Sequence, residues 1–119
     1  MPGPPADAPL YEIKANLFKA LAHPARIRVL EILVAADAPV PVSTLLAETE
    51  LEASLLSQHL GVLRRHHVVT STRTGNTVTC ELAYPQVATL LGSAREFLLA
   101  HLDAQHERLA LAVESGGAR

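Results

Sequence analysis

Apolar residues recur with the period of an α-helix over most of the chain. Leu10, Ile13, Leu17 and Leu21 stand at offsets 0, 3, 7 and 11, which predicts a first helix beginning at Leu10. Pro24 suits the first turn of a second helix, where the missing N–H of proline costs nothing. The second helix is predicted to end before "DAPVP", because the two prolines there disfavour its continuation.

Two more helices are predicted directly after this break. The segment "VSTLLAETE" predicts a short third helix, with Ser43 or Thr44 available as its cap. A fourth helix is predicted over roughly residues 52 to 66, and its pattern is amphipathic. Its buried stripe comprises Leu56, Leu60 and Leu63, and its polar face comprises Ser54, Ser57, Gln58, Gly61, Arg64 and Arg65. This face is small and polar at its beginning and cationic at its end.

The segment "VVTSTRTGNTVTCEL" changes to the pattern of a β-hairpin. It is rich in Val and Thr, and its two halves flank "TGNT", which predicts a turn with Gly75 and Asn76 at positive φ. A long last helix is predicted over about residues 85 to 113, with apolar residues along one broad stripe. At about 1.5 Å per residue it would run about 40 Å, longer than a domain of this size covers alone. We therefore expect a dimer.

The predicted order is helix, helix, short helix, amphipathic helix, hairpin, helix. The fold class is thus mostly α with a small β-hairpin, in the order α-α-α-α-β-β-α. A short helix followed by an amphipathic helix with a polar outer face is typical of a helix-turn-helix. The hairpin behind it would form a wing, which gives a winged helix-turn-helix.

Composition and charge are those of one folded domain with an uneven charge distribution. The chain has 119 residues, of which 49% are apolar and 18% charged, so a globular fold is expected rather than disorder. The net charge of −2 argues against a nucleic-acid partner by itself. However, residues 59 to 73 contain arginines and histidines and neither Asp nor Glu, so the basic charge is concentrated in the centre of the sequence.

The ends of the chain and its single cysteine restrict the classes of protein to which the chain can belong. Residues 1 to 9 contain four prolines and are expected to form a disordered arm, residues 10 to 113 the domain, and residues 114 to 119 a flexible tail. Cys80 is the only cysteine, which excludes an intramolecular disulfide and a four-cysteine zinc site. Neither a signal peptide nor an apolar run long enough to span a membrane is apparent, so a cytoplasmic protein is expected.

The segments "LFKALAHPARIRVLEIL" and "LLSQHLGVLRRHHVV", followed by a glycine-bearing hairpin, resemble the ArsR/SmtB family of bacterial winged-helix repressors. The resemblance covers about residues 10 to 100. It implies a homodimer held by the first and last helices, with the fourth helix in the major groove of an inverted-repeat operator. It also implies release of the operator when a metal or another inducer binds. Two positions depart from the family pattern: Gly61 stands where a polar or basic residue is usual, and His67 replaces a glycine before the first wing strand.

The candidate DNA contacts lie on the fourth helix and the wing. Ser57 and Gln58 are expected to reach base edges, since a glutamine can bridge two groups on the major-groove edge of adenine. Phosphate contacts are expected from Ser54, Arg64, Arg65 and Arg73, and a further wing contact from Asn76. His59 has two interpretations, a direct DNA contact or a partly buried packing residue.

No family metal site is complete in the sequence. The third helix has no cysteine pair, and no histidine of the last helix completes the Asp-x-His and His-x-x-Glu pattern that other members use. The remaining weak candidates are His101, Asp103, His106 and Glu107, which would suit nickel or zinc if a partner chain or the N-terminal arm completed the site. The alternative is that they are surface residues of a long helix.

Two other classes of function compete with a DNA-binding regulator, an enzyme and a protein-interaction module. The sequence contains no phosphate-binding glycine-rich loop, G-x-S-x-G or H-E-x-x-H motif, so it does not predict an enzyme. The competing hypothesis is a dimeric winged-helix interaction module, or co-regulator, that binds a partner protein and has little DNA affinity. Its net negative charge and Gly61 keep this hypothesis open, and the salt dependence of DNA binding separates the two.

Overall fold

The computed structural model describes residues 7–103. Within them, the elements in chain order are α1 (Leu10–Leu21), α2 (Pro24–Ala36), β1 (Val40–Pro41), α3 (Val42–Thr49), α4 (Ala53–Arg65), β2 (Val69–Thr74), β3 (Thr77–Leu82) and α5 (Gln86–Asp103). The predicted arm, tail and end of the last helix fall wholly or largely outside the described residues. The chain divides into two compact units, the first ending at Pro85 and the second beginning at Gln86.

The predicted fold class is confirmed, with one added strand. β2 and β3 form the antiparallel wing hairpin, and the two-residue β1 pairs with the outer side of β3 to give the order β1-β3-β2. The partners are Val40 with Cys80 and Pro41 with Thr79. Because β1 leads directly into α3, this pairing attaches the start of the helix-turn-helix to the wing.

Two local predictions were wrong. The N-cap of α3 is Pro41, without a side-chain cap bond, rather than Ser43 or Thr44, because the extended Pro41 ends β1 and the helix begins at the next residue. In the hairpin turn only Gly75 has positive φ, at 63°; Asn76 does not. A two-residue loop with positive φ at its first position alone has the pattern of a type II′ turn.

The helix carrying the polar face ends in a Schellman motif. The N–H of His67 donates to the carbonyl of Arg64 (3.0 Å) and the N–H of Val68 to that of Leu63 (2.9 Å). This geometry places His67 in the left-handed region, with φ 61°, where glycine is the usual residue. The departure at this position therefore introduces backbone strain between α4 and the wing.

The core of the first unit lies beneath α4 and the wing. Its most buried side chains come from α2, α3, α4 and the wing, namely Val29, Leu30, Leu45, Leu56, Leu63, Val69 and Cys80. The predicted stripe on α4 is confirmed, since Leu56, Leu60 and Leu63 are all buried. Within residues 7–103, no helix combines the length and hydropathy needed to cross a membrane.

Candidate nucleic-acid interface

The polar side chains of α4 lie on the side opposite the buried stripe. All five predicted contacts on this face, Ser54, Ser57, Gln58, Arg64 and Arg65, are exposed. The leucines fix the rotation of the helix, because burying them against α2 and the wing leaves this face in solvent. The face therefore combines hydroxyl, amide and guanidinium groups on a rigid element.

His59 is not part of this face. Its side chain is only 6% exposed and lies on the buried side of α4, so the prediction of a direct DNA contact is corrected to that of a packing residue. Arg26 Nε donates to His59 Nδ1 over 3.2 Å, and Arg26 Nη1 donates to the carbonyl of Ala20 over 2.8 Å. Arg26 thus connects α4 to α2 and to the end of α1.

A second, exposed histidine lies against His59. The ring of His23 lies 4.4 Å from that of His59, centroid to centroid, and His23 Nδ1 accepts a hydrogen bond from the N–H of Ala25 that caps α2. Because His59 Nδ1 accepts the hydrogen bond from Arg26, the proton of the neutral His59 ring lies on Nε2. His59 Nε2 is buried and has no hydrogen-bond partner among residues 7–103. Burial first, then His23 and Arg26, lowers the pKa of His59, since each disfavours a second positive charge.

Arg64 reaches from α4 to the wing. Its Nη1 donates to Ser71 Oγ over 3.3 Å, and Ser71 Oγ lies 3.4 Å from the buried Cys80 Sγ. A Cβ placed at Gly61 would lie 3.5 Å from Arg65 Nη1 and 4.0 Å from Arg64 Nη2, which are ordinary van der Waals distances. Both guanidinium groups therefore lie close to Gly61.

Four of the predicted contacts line one cleft. Ser57, Arg64, Arg73 and Asn76 surround a space of about 550 Å³ between α3, α4 and the wing. Ser54, Gln58 and Arg65 lie on the exposed face of α4 without lining it. The opposite wall is formed mainly by residues that the sequence did not identify as site residues, Pro41, Val42, Ser43 and Leu46. They would have been recognised only by knowing that β1 pairs with β3.

The predicted metal residues are only partly described. His101 is exposed, and its ring lies parallel to that of Phe97 with centroids 6.2 Å apart. The side chain of Asp103, and all of His106 and Glu107, lie outside the described part of the chain. Among the residues that are described, no three His, Cys, Asp or Glu side chains lie close enough together to hold a metal. A nickel or zinc site therefore stays a prediction.

The chain is similar to a known domain family, to a known regulator and to solved structures. The helix-turn-helix domain family HTH_20 matches residues 21–72. The HTH-type transcriptional regulator Rv0081 of Mycobacterium tuberculosis is 52% identical over 90 residues, which are 76% of this chain and 78% of that protein. Its crystal structure superposes with a TM-score of 0.74 at 48% identity, covering 83% of this chain and 98% of that one.

Two other solved structures are informative. The transcriptional repressor BigR from Xylella fastidiosa is 30% identical, with a TM-score of 0.64, covering 71% of this chain and 84% of BigR. The homodimeric winged helix-turn-helix DNA-binding domain Mb0332 from Mycobacterium bovis has a TM-score of 0.72 at 23% identity, covering 87% of this chain and 98% of that one. At that identity, the likeness to Mb0332 shows the fold alone.

Proposed function

Because this chain belongs to the ArsR-type family of winged helix-turn-helix transcriptional regulators, we propose that it is a sequence-specific DNA-binding repressor. In this proposal it acts in the bacterial cytoplasm as a homodimer on an inverted-repeat operator. The observation that carries the proposal is the exposed polar and cationic face of α4, which its buried leucines hold in place. Arg64 on this face lines the same cleft as Arg73 of the wing. The relatives found are transcriptional regulators rather than enzymes.

In this proposal, base reading and phosphate binding are divided between different side chains. Ser57 and Gln58 lie exposed on α4 and would contact base edges in the major groove. Arg65 and Arg73 are exposed cations that would bind phosphates or approach the minor groove, where counterion release contributes to affinity. Arg64 would do the same while its bond to Ser71 holds the wing against α4.

Exposed apolar side chains on α1 and on α5 support the proposed dimer. On α1, Tyr11 is 72% exposed, and Leu10 and Phe18 are also exposed. On α5, Phe97 is 68% exposed, next to Leu98 and Leu99, which are also exposed. On either helix, several large exposed apolar side chains are typical of a surface that a partner covers. A two-fold dimer would place two α4 helices on half-sites about one helical turn apart.

Repression would follow if the operator overlaps a promoter, because a bound dimer then blocks transcription. BigR, which shares the fold at 30% identity, is a transcriptional repressor. Control by an effector, a metal or another ligand, belongs to the same proposal. A metal ligand set of His101, Asp103, His106 and Glu107 would suit zinc or nickel.

The proposed separation of base-reading from phosphate-binding side chains is tested by footprinting upstream of the protein's own gene. The affinity of variants is then measured on the protected duplex. Gln58→Ala is expected to lose about 1–3 kcal/mol of discrimination at particular base pairs, whereas Arg73→Ala weakens operator and random duplexes alike. Lys19→Ala, an exposed cation on the face of α1 opposite Leu10, is the matched control for lost charge. If Gln58→Ala and Arg73→Ala reduce binding equally on both duplexes, the proposed roles are wrong.

The interaction-module alternative has one observation in its favour. Glu50 and Glu52 are exposed immediately before α4, where a carboxylate repels phosphate. A module of this kind would bind duplex DNA weakly at every sequence and would depend on a co-regulator protein. An operator footprint by the purified protein alone contradicts it.

A further inference from the structure

The cleft between α3, α4 and the wing has an apolar part and a cationic part. Its described lining includes the apolar side chains Val42, Leu46, Leu60 and Val78, the arginines Arg64 and Arg73, and no carboxylate. The apolar part comes mainly from α3 and β3, and the arginines come from the end of α4 and from β2. Such a surface is complementary to an anion that also carries an apolar body.

The arginine of α4 is held in place before any ligand arrives. Arg64 Nη1 donates a hydrogen bond to Ser71 Oγ over 3.3 Å, and its Nη2 lies 4.0 Å from where a Cβ of residue 61 would stand. Ser71 and Arg73 are two residues apart on β2, so their side chains leave the strand on the same side. Because Arg64 is already anchored, less conformational entropy is lost when it binds an anion.

The size of the cleft argues for more than a phosphate. The cleft is half open to solvent, and its volume of about 550 Å³ lies inside the range of about 300–1,000 Å³ that is usual for small-molecule sites. A DNA phosphate would pair with the arginines but would leave Leu46 and Val78 without an apolar partner. A ligand with an apolar body would remove that surface from water, which is favourable.

We propose that this cleft binds a small organic carboxylate with an apolar body, and that the ligand displaces DNA. The carboxylate pairs with Arg64 and Arg73 through charge-assisted hydrogen bonds, and the body covers the apolar wall. The inference rests on the proposed function, because Ser57, Arg64, Arg73 and Asn76 are both proposed DNA contacts and part of the cleft lining. The same side chains cannot serve both partners, so DNA and the carboxylate exclude each other.

The experiment uses 2-naphthoate as the probe and acetate as a control that has the charge without the apolar body. Titration of the free, isotope-labelled protein by NMR is expected to shift the backbone amides of Leu46 and Val78. In fluorescence anisotropy with the footprinted duplex, 2-naphthoate at ten times its measured dissociation constant is expected to raise the apparent DNA dissociation constant at least about tenfold. Acetate at the same concentration and ionic strength is expected to leave it unchanged.

A variant of the apolar wall separates ligand binding from DNA binding. Leu46 is half-buried, lines the cleft and is not a proposed DNA contact. Leu46→Gln is expected to keep DNA affinity within about twofold and to weaken 2-naphthoate at least about fivefold, because an amide replaces apolar contact surface. Leu55→Gln, an exposed leucine of α4 outside the cleft, is the matched control and is expected to change neither.

The remaining outcomes distinguish failure of the proposed ligand site from failure of the proposed function. Equal displacement by acetate, or amide shifts confined to residues outside the cleft, overturns the proposal. The NMR titration needs no DNA, so it still decides the ligand site if Leu46→Gln does not fold. Failure of the protein to bind any duplex without 2-naphthoate contradicts the proposed function instead.

Discussion

Replacing His59 by asparagine is expected to remove a pH-dependent part of the folding free energy. His59 lies on the buried side of α4, accepts a hydrogen bond from Arg26 and lies against His23. Its pKa is lowered from the ordinary value of 6.5. Protonation would place N–H groups of His59 and Arg26 face to face and add a charge beside a cation. An asparagine Oδ1 can accept the same bond and does not titrate.

The expected size follows from the difference in proton binding between the two states. The unfolded chain protonates this histidine near pH 6.5, and the native protein does so only at lower pH, because its pKa is lowered. The stabilisation is therefore fully present above about pH 6.5 and is lost as the pH falls towards the native pKa. The loss is at most about 1.4 kcal/mol for each pH unit below 6.5.

Urea unfolding followed by circular dichroism at pH 7.5, 6.5 and 5.5 measures this effect. Protein concentration is held constant, because a dimer's stability depends on it. Wild type is expected to lose more unfolding free energy on acidification than His59→Asn, even if the variant is less stable at every pH. His67→Asn, which removes an exposed imidazole, is the matched control. Equal pH slopes for wild type and His59→Asn would refute the reasoning.

Three further predictions concern strain, assembly and metal binding. His67→Gly is expected to raise the unfolding free energy by about 1 kcal/mol, because φ is 61° there; an unchanged or lower urea midpoint would contradict this. Leu98→Glu with Leu102→Glu is expected to give monomer or insoluble chain on size-exclusion chromatography, and an unchanged dimer would show that the interface lies elsewhere. Calorimetric titration with nickel and zinc at neutral pH is expected to show no tight site and, if a weak one is present, loss of affinity below about pH 6. A submicromolar dissociation constant that disappears in His106→Ala would overturn that expectation.

The helices were predictable because their apolar periodicity is strong. On α4, Leu56, Leu60 and Leu63 repeat with helical spacing, and their burial leaves the polar face exposed as predicted. The position of His59 was also present in the spacing, since it follows Leu56 by three residues and precedes Leu63 by four. Two interpretations remained because a polar side chain beside an apolar stripe is buried only if another element supplies a partner. That partner, Arg26, lies 33 residues away in the sequence.

The cleft between α3, α4 and the wing was harder to predict from the sequence. β1 has two residues, too few to show a strand period, and its pairing with Cys80 and Thr79 is a tertiary contact. That pairing places α3 opposite the wing and so creates the apolar wall of the cleft. The left-handed conformations of Asp37 and Glu50, at the ends of α2 and α3, were likewise not predicted, because neither position has the glycine that usually marks such an end.

The central claim, that the protein binds operator DNA through the cationic face of α4 and the wing, is tested most directly by salt dependence. Anisotropy with the footprinted duplex and a shuffled duplex is measured from 50 to 200 mM salt. The account predicts that log affinity falls linearly with log salt for both duplexes and that the operator stays tighter throughout. In Arg73→Ala the slope is expected to decrease by about 1. Binding that is absent, or that does not change with salt, would contradict the account.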